Sequence, residues 1–89
     1  MKAVVSVIGT DRVGIIAAVA DKLAKLGINI EDISQTIMQN NFVMIMLVDA
    51  ENSAVPFDKI GGELQSATAH LGVTVHVQHE GLFDAMHRL

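Results

Sequence analysis

The segment with the strongest chemical signal is a turn between a β-branched run and a helical pattern, Gly9-Thr10-Asp11-Arg12-Val13-Gly14-Ile15. Backbone amides at the start of a helix, together with the helix dipole, can receive an anion such as a carboxylate. Gly9 and Gly14 lack a Cβ, so a ligand can approach the backbone closely at both. Asp11 is the predicted N-cap, because its carboxylate can accept hydrogen bonds from the free amides of the first turn. The same pattern also suits an ordinary capped turn that binds nothing.

A second group of polar residues follows the first predicted helix. Asn29 precedes Ile30 at the start of the second predicted strand, and its side chain offers both a donor and an acceptor to an amino acid. Asn29 equally suits an edge strand in which it bonds its own backbone. Glu31 and Asp32 are adjacent, and adjacent strand residues point to opposite faces, so they form a poor catalytic pair.

The histidines do not form a metal-binding pattern; they are His70, His76, His79 and His87. His76 and His79 lie on one predicted strand at an odd spacing and therefore point to opposite faces. The spacing contains no Ser–His–Asp arrangement and no Walker-type phosphate loop, and the chain has no cysteine. We therefore expect no catalytic residues, no metal site and no cofactor.

Composition bounds the class of protein. The chain has 89 residues, of which 51% are apolar and 3% aromatic. This length predicts a single domain over residues 1–89 with a thin core. A net charge of −4 and the lack of Trp and Tyr argue against direct binding to nucleic acid or to an anionic membrane. The apolar stretch at residues 1–8 is too short for a signal sequence or a membrane span, so we expect a cytoplasmic protein.

Hydrophobic periodicity predicts the strands and helices on which these residues lie. Asn40-Asn41 is the predicted two-residue hairpin turn, and Gly27 and Gly72 are the predicted residues that end the helices. A short helical tail is predicted over about residues 81–89, with Leu82, Phe83, Met86 and Leu89 on one side. The pattern predicts strands at residues 2–8, 29–39, 42–49 and 73–79, and helices at residues 15–26 and 56–71.

The order β-α-β-β-α-β is that of a ferredoxin-like sandwich, an α+β fold in which a four-stranded antiparallel sheet carries two helices on one face. The first and third strands are then central, and the second and fourth are edges. Apolar residues occupy both faces of the central strands, although the helices can cover only one. The short tail is one candidate cover for this face and a second copy of the chain is another. We predict a homodimer, and the sequence leaves open whether its two sheets join side by side or face to face. On the third strand the residues of the two faces are Phe42, Met44, Met46 and Val48 on one, and Val43, Ile45 and Leu47 on the other.

Two motifs make the chain resemble an ACT domain, the small ligand-binding regulatory module of amino-acid metabolism. The family's strand-to-helix turn resembles Gly9-Thr10-Asp11-Arg12-Val13-Gly14-Ile15-Ile16, and the start of its second strand resembles Leu26-Gly27-Ile28-Asn29-Ile30. The resemblance covers essentially the whole chain. The segment from His79 to Arg88 is similar to the tail of short stand-alone ACT proteins, which are similar in turn to the ACT halves of the glycine cleavage repressor. The chain departs from the family at Val13, where many members have proline.

The resemblance implies a regulatory domain that pairs with a second copy and binds a small effector, usually an amino acid, at the interface. The effector carboxylate would lie on the amides from Asp11 to Gly14, and its amino group would meet Asn29 or nearby acceptors of either chain. Occupancy of a shared interface would couple the ligand to subunit geometry and so modulate a separate, unidentified partner protein. The candidate ligand-binding residues are Gly9, Thr10, Asp11, Arg12, Val13, Gly14, Ile15, Asn29, Ile30 and Asp32.

Two alternative functions use the same fold. One is a protein-interaction module that binds no small molecule, which a panel of amino acids without effect would favour. The other is a small enzyme similar to an acylphosphatase, which needs an arginine cradle at the first turn. Arg12 stands at that turn, but the segment lacks the Gly-rich loop that cradles phosphate, so we expect a binding protein rather than an enzyme.

Overall fold

A computed structural model describes residues 1–10 and 13–81, with Met38 described by its backbone alone. The predicted element order βαββαβ is confirmed, with one short 3-10 helix added before the last strand. The elements are β1 (Lys2–Thr10), α1 (Ile15–Lys25), β2 (Asn29–Met38), β3 (Asn41–Asp49), α2 (Phe57–Ala67), the 3-10 helix Ala69–Leu71 and β4 (Thr74–His79).

The strands form one antiparallel sheet in the order β2-β3-β1-β4. The prediction of a ferredoxin-like sandwich with central β1 and β3 and edge strands β2 and β4 is therefore confirmed. In the register, Thr10 of β1 faces Asn41 of β3 and Lys2 faces Asp49. The ladder between β2 and β3 shifts between Ile30 and Asp32, which marks a β-bulge at this point.

The hairpin between β2 and β3 turns one residue earlier than predicted. Met38 pairs with Asn41, so the turn residues are Gln39 and Asn40 rather than Asn40-Asn41. Both have positive φ, 50° and 71°, as the twist-matched two-residue hairpin turn requires. Asparagine tolerates left-handed φ, so Asn40 is a typical turn residue. Glutamine has no such preference, so the sequence does not indicate that Gln39 belongs to the turn.

The start of α1 also differs from the prediction. The helix begins at Ile15 with Gly14 as its N-cap, at φ 97° and without a side-chain cap, so the prediction of Asp11 as N-cap is wrong. Asp11 and Arg12 themselves lie outside the described residues. The predicted positive φ of the helix-ending glycines is confirmed, at 76° for Gly27 and 69° for Gly72.

The second helix is shorter than the predicted span of residues 56–71. Pro56 is its N-cap, and α2 ends at Ala67. The fully buried hydroxyl of Thr68 donates a hydrogen bond back to the Leu64 carbonyl at 2.9 Å. Bonds of this kind compete with the helix ladder, and the chain tightens into the 3-10 helix that ends at Leu71.

Both helices pack on one face of the sheet, and their apolar stripes form the core with the strands. The predicted core positions Met44 and Met46 are fully buried. No helix within the described ranges has the length and hydropathy needed to cross a membrane. The innermost core residues are Val5, Val7, Ile15, Val19, Leu23, Met44, Met46, Val48, Ile60 and Leu64.

The opposite face of the sheet, here called the outer face, carries the second apolar set that the strand pattern predicted. Ile8 and Ile45 are 45% and 38% exposed on it, Val43 and Leu47 are half-buried, and Val4 is buried. Residues 82–89 of the predicted tail lie outside the described residues. Coverage of this face by a second copy stays a prediction.

Candidate functional site

A groove of about 820 Å³ opens between the N-terminus of α1 and the C-terminal half of β2. Its volume falls within the range of small-molecule sites, about 300–1,000 Å³. The two walls therefore come from the predicted turn and from a strand segment that sequence reasoning did not select. The lining residues are Val13, Gly14, Ile15, Ile16, Ala17, Gln35, Thr36, Ile37 and Phe42.

The N-terminus of α1 forms the polar end of this groove. The first helical bond runs from the Ala18 amide to the Gly14 carbonyl at 2.9 Å, so the amides of the preceding turn have no intrahelical acceptor. Among the described residues no side chain caps them, and the first turn carries no acidic residue. Apart from its chain neighbours, no atom of the described residues lies within 4 Å of where a Cβ of Gly14 would stand. The dipole of this helix end is complementary to an anion.

The remainder of the groove is mainly apolar. The Val13 side chain is fully exposed and that of Ile37 is 59% exposed. Ile37 of β2 pairs with Phe42 of β3, and Phe42 is buried beneath the groove. Only Gln35 and Thr36 add polar side chains among the described lining residues. The groove thus offers an amide-lined end next to an aliphatic wall.

Gly9 and Thr10 lie where β1 leads into the turn. Gly9 is part-buried and pairs with Phe42, and a Cβ on it would stand 2.7 Å from Cγ1 of Val73. The space beside Gly9 is thus filled by the chain itself, whereas the space beside Gly14 is open. Thr10 is exposed at the strand end and faces Asn41.

The second predicted half of the site lies at the far end of β2. Asn29 pairs with Asp49, whereas Met38 pairs with Asn41 beside the turn. A strand rises about 3.3 Å per residue, so Asn29 is about 26 Å along the strand from Ile37 of the groove wall. Ile30 packs against the core, and the exposed Asp32 carboxylate accepts a hydrogen bond from the Ile33 amide at 2.9 Å. Within one chain the structure does not bring Asn29, Ile30 and Asp32 to the turn.

The end of the sheet beside Asn29 is charged. The Lys2 ammonium forms an ion pair with Glu31, and this hydrogen bond raises the pKa of Lys2. The Asp49 carboxylate lies 3.6 Å from the N-terminal amine. The Glu51 backbone amide donates a hydrogen bond to it at 3.0 Å and lowers its pKa. These pairs fasten strand ends and contact none of the groove residues.

The three described histidines lie apart from the groove, and His87 lies outside the described residues. His70 and His76 are exposed, and the ring of His79 stacks on Phe57 with 3.9 Å between centroids. In the part of the chain that the structure describes, no three His, Asp or Glu side chains form a group that could hold a metal ion. The polar feature on which the site rests is the helix end.

The sequence matches a known protein family. A family model described as an ACT domain matches residues 2–78, so the chain belongs to the ACT domain family. ACT domains are commonly regulatory, ligand-binding modules. The resemblance read from the turn and from the start of β2 is therefore confirmed.

Individual proteins agree with this assignment. A UPF0237 protein of Clostridium acetobutylicum is 54% identical over 89 residues, which is 100% of both chains. The structure of an ACT domain protein from Streptococcus pneumoniae superposes with a TM-score of 0.81 at 37% identity, covering 98% of each chain. A protein described as a glycine cleavage system transcriptional repressor shares the fold with a TM-score of 0.70 at 22% identity, covering 86% of this chain and 44% of that one.

Proposed function

We propose that the chain is a regulatory module that binds an amino acid at the interface of a homodimer and modulates a separate partner protein. The observation that carries this proposal is the separation of the two halves of the predicted site. The amide-lined groove lies at one end of β2 and Asn29 lies at the other. A second copy is what could join them.

Symmetric antiparallel pairing of β2 with β2 of a second copy supplies that join. A twofold axis places one residue of β2 opposite its own copy, and here that residue is Ser34. Because the bulge between Ile30 and Asp32 adds one residue to the strand, residue 29 of one copy then lies opposite residue 38 of the other, and the ten residues of β2 overlap fully. The partner's Asn29 then lies beside the groove. The same pairing satisfies the free backbone groups of an edge strand.

The size of this edge supports a stable pair. A strand of ten residues is about 33 Å long, and the smallest extent of the molecule is 19 Å. The edge thus presents about 600 Å² per copy and about 1,200 Å² in the pair, which is the lower end of specific interfaces. Ile33 and Ile37, 42% and 59% exposed on this strand, would be covered.

The groove chemistry supports an amino acid with an apolar side chain. Its carboxylate would accept hydrogen bonds from the amides of the first turn of α1. Its ammonium would donate to the side-chain oxygen of the partner's Asn29, and its side chain would lie against Ile37. A ligand held by both chains favours one arrangement of the pair, so binding changes the surface offered to the regulated protein.

A protein-interaction module without a small ligand is the second candidate, and the outer face favours it. Ile8 and Ile45 expose apolar surface there, away from the groove. An enzyme is less well supported, since Gln35 and Thr36 are the only polar side chains among the described residues that line the groove.

Amide NMR during titration with single amino acids tests the proposal. We expect leucine, isoleucine, valine or phenylalanine to shift the amides of residues 14–17, and serine, aspartate and lysine to shift them less. Gly14→Asp should abolish the response because its charge repels the carboxylate. Gly14→Asn makes the same demand on the backbone without the charge, so it should keep more of the response. A full response in Gly14→Asp would contradict the site.

Mixed dimers test whether two chains share each site. Gly14→Asp and Asn29→Ala should each bind poorly as homodimers. In a heterodimer of the two variants, one site has both defects and the other has none. A random equimolar mixture is half heterodimer, so mixing should restore about one quarter of the wild-type binding capacity in calorimetry. No recovery on mixing would contradict the shared site, and no response of the wild type to any amino acid would favour the interaction module.

A further inference from the structure

The side chain of Gln65 forms hydrogen bonds with the outer edge of β4, the edge that pairs with no other strand of the sheet. The Gln65 Nε2 donates a hydrogen bond to the Val73 carbonyl at 2.8 Å, and its Oε1 accepts one from the Val75 amide at 3.0 Å. Residues two apart on a strand direct their backbone groups to the same side. The side-chain amide therefore makes the two bonds that the backbone of an added strand would make there.

The position of Gln65 on α2 explains how it reaches this edge. The helix runs directly over β4, since a Cβ on Gly61 would lie 3.8 Å from Cγ2 of Val77. Leu64, the neighbour of Gln65, is fully buried and fixes the helix against the sheet. Gln65 is itself half-buried, so its amide is held at the strand edge and does not extend into solvent.

We propose that Gln65 closes the β4 edge to strand addition and thereby makes the homodimer a finite assembly. With both edges open, each copy could pair through β2 and again through β4, and pairing would continue into an open ribbon. With β4 closed, pairing ends at two copies. β4 has only six residues, and Gln65 holds the start of its edge, at Val75 and at Val73 just before the strand. The expectation of two copies rests on the homodimer of the proposed function. The closure of the β4 edge does not depend on that homodimer.

The amide of Gln65 fits this role better than related side chains. A glutamate could accept from Val75 but could not donate to the Val73 carbonyl, and it would place a negative charge beside that oxygen. A methionine has a similar stem and neither hydrogen-bonding group. Gln65→Met therefore leaves the helix and its packing nearly unchanged while it frees the Val73 carbonyl and the Val75 amide.

Hydrogen exchange and sedimentation velocity on the full chain test the proposal together. In Gln65→Met we expect the Val75 amide to exchange at least tenfold faster than in the wild type. We also expect species larger than the wild-type assembly, in increasing amounts from 10 to 500 μM protein. Ser66→Ala, a change at an exposed position of the same helix, should keep the wild-type exchange and mass. If Gln65→Met does not fold, Gln65→Ala carries the same expectation, because it adds no atoms at the site.

Two results would overturn the closure of β4: unchanged exchange of Val75, or faster exchange with an unchanged assembly. A double variant separates this proposal from the proposed function. Ile33→Lys is chosen to weaken pairing through β2, so this single variant should not associate. The double variant Ile33→Lys, Gln65→Met should still associate, through β4. If the wild type were a monomer, the proposed homodimer would fail, and self-association of Gln65→Met would still support the closed edge.

Discussion

The two edges of the sheet differ in what their backbone groups meet. The β2 edge has ten residues and exposes the side chains of Ile33 and Ile37. The β4 edge has six residues, and the side chain of Gln65 bonds the Val75 amide within it and the Val73 carbonyl just before it. An unprotected edge strand is a template for another chain, whereas short and covered edges resist pairing. The longer edge of this small sheet, with its two exposed isoleucines, is therefore the edge beside the groove, and it is the one that we propose for association.

The largest effect is expected from a charge on the β2 edge. Ile33 lies next to the proposed twofold axis, so in Ile33→Lys two ammonium groups would meet in the pair. We expect the dimer dissociation constant to rise about a hundredfold, or about 2.7 kcal/mol, in equilibrium sedimentation.

Ile45→Lys is the matched control for this change. It places the same charge at a position of similar exposure, but on the outer face, so it should leave the dimer intact. If Ile45→Lys dissociates the pair and Ile33→Lys does not, the two copies pack face to face and the comparison of edges does not explain the assembly.

A smaller effect is expected from Gly9→Ala, on the β4 side of the sheet. The added Cβ would lie 2.7 Å from Cγ1 and 3.0 Å from Cα of Val73, so Val73 must move together with the carbonyl that Gln65 binds. We expect a loss of about 1–3 kcal/mol in the free energy of unfolding, measured with urea. The dimer constant should stay unchanged, because β2 is not disturbed.

Gly62→Ala serves as the control for Gly9→Ala. Outside its own helix backbone, no atom of the described part of the chain lies within 4 Å of its added Cβ. Alanine also favours the helix, so we expect a gain of about 0.5–1 kcal/mol. Equal losses in both variants would show that a general effect of replacing glycine, and not the contact with Val73, determines the result.

The smallest effect concerns acid stability at the Asn29 end of β2. The lowered pKa of Asp49 means that its ionised form is favoured in the folded state. This contribution is present above its ordinary pKa of 3.8 and is lost as pH falls through the lower folded-state value. Asp49→Asn should therefore flatten the acid limb of the urea midpoint plotted against pH. Parallel acid limbs in wild type and variant would contradict this assignment.

Most of the fold could be predicted because its signals are local and repeated. The alternation in β3 places Met44 and Met46 in the core and Ile45 outside, and the structure agrees. The errors lie where one backbone conformation decides the outcome. Gly14 ends the turn at φ 97°, and a glycine can adopt many conformations, so the sequence favoured the carboxylate of Asp11 as the cap.

The candidate site could be predicted only in part, because half of it depends on register. The turn was identified from its own residues, whereas Gln35 and Ile37 reach the groove through the pairing of β2 with β3. A glutamine on the polar side of a helix gives no signal that it bonds a strand edge. Gln65 reaches Val73 and Val75 through tertiary packing that no periodicity encodes.

The sheet order has a consequence for how the chain folds. The β2–β3 hairpin joins neighbours in sequence and can form early, but β1 pairs with β4 by bringing Ala3 to His79, near opposite ends of the chain. Until α2 and β4 dock, the edge of β1 is open, and Val5 and Val7 are available to another nascent chain. The closure by Gln65 forms only after that slow step. The rate at which β4 docks would then set the time during which a folding chain is vulnerable to aggregation.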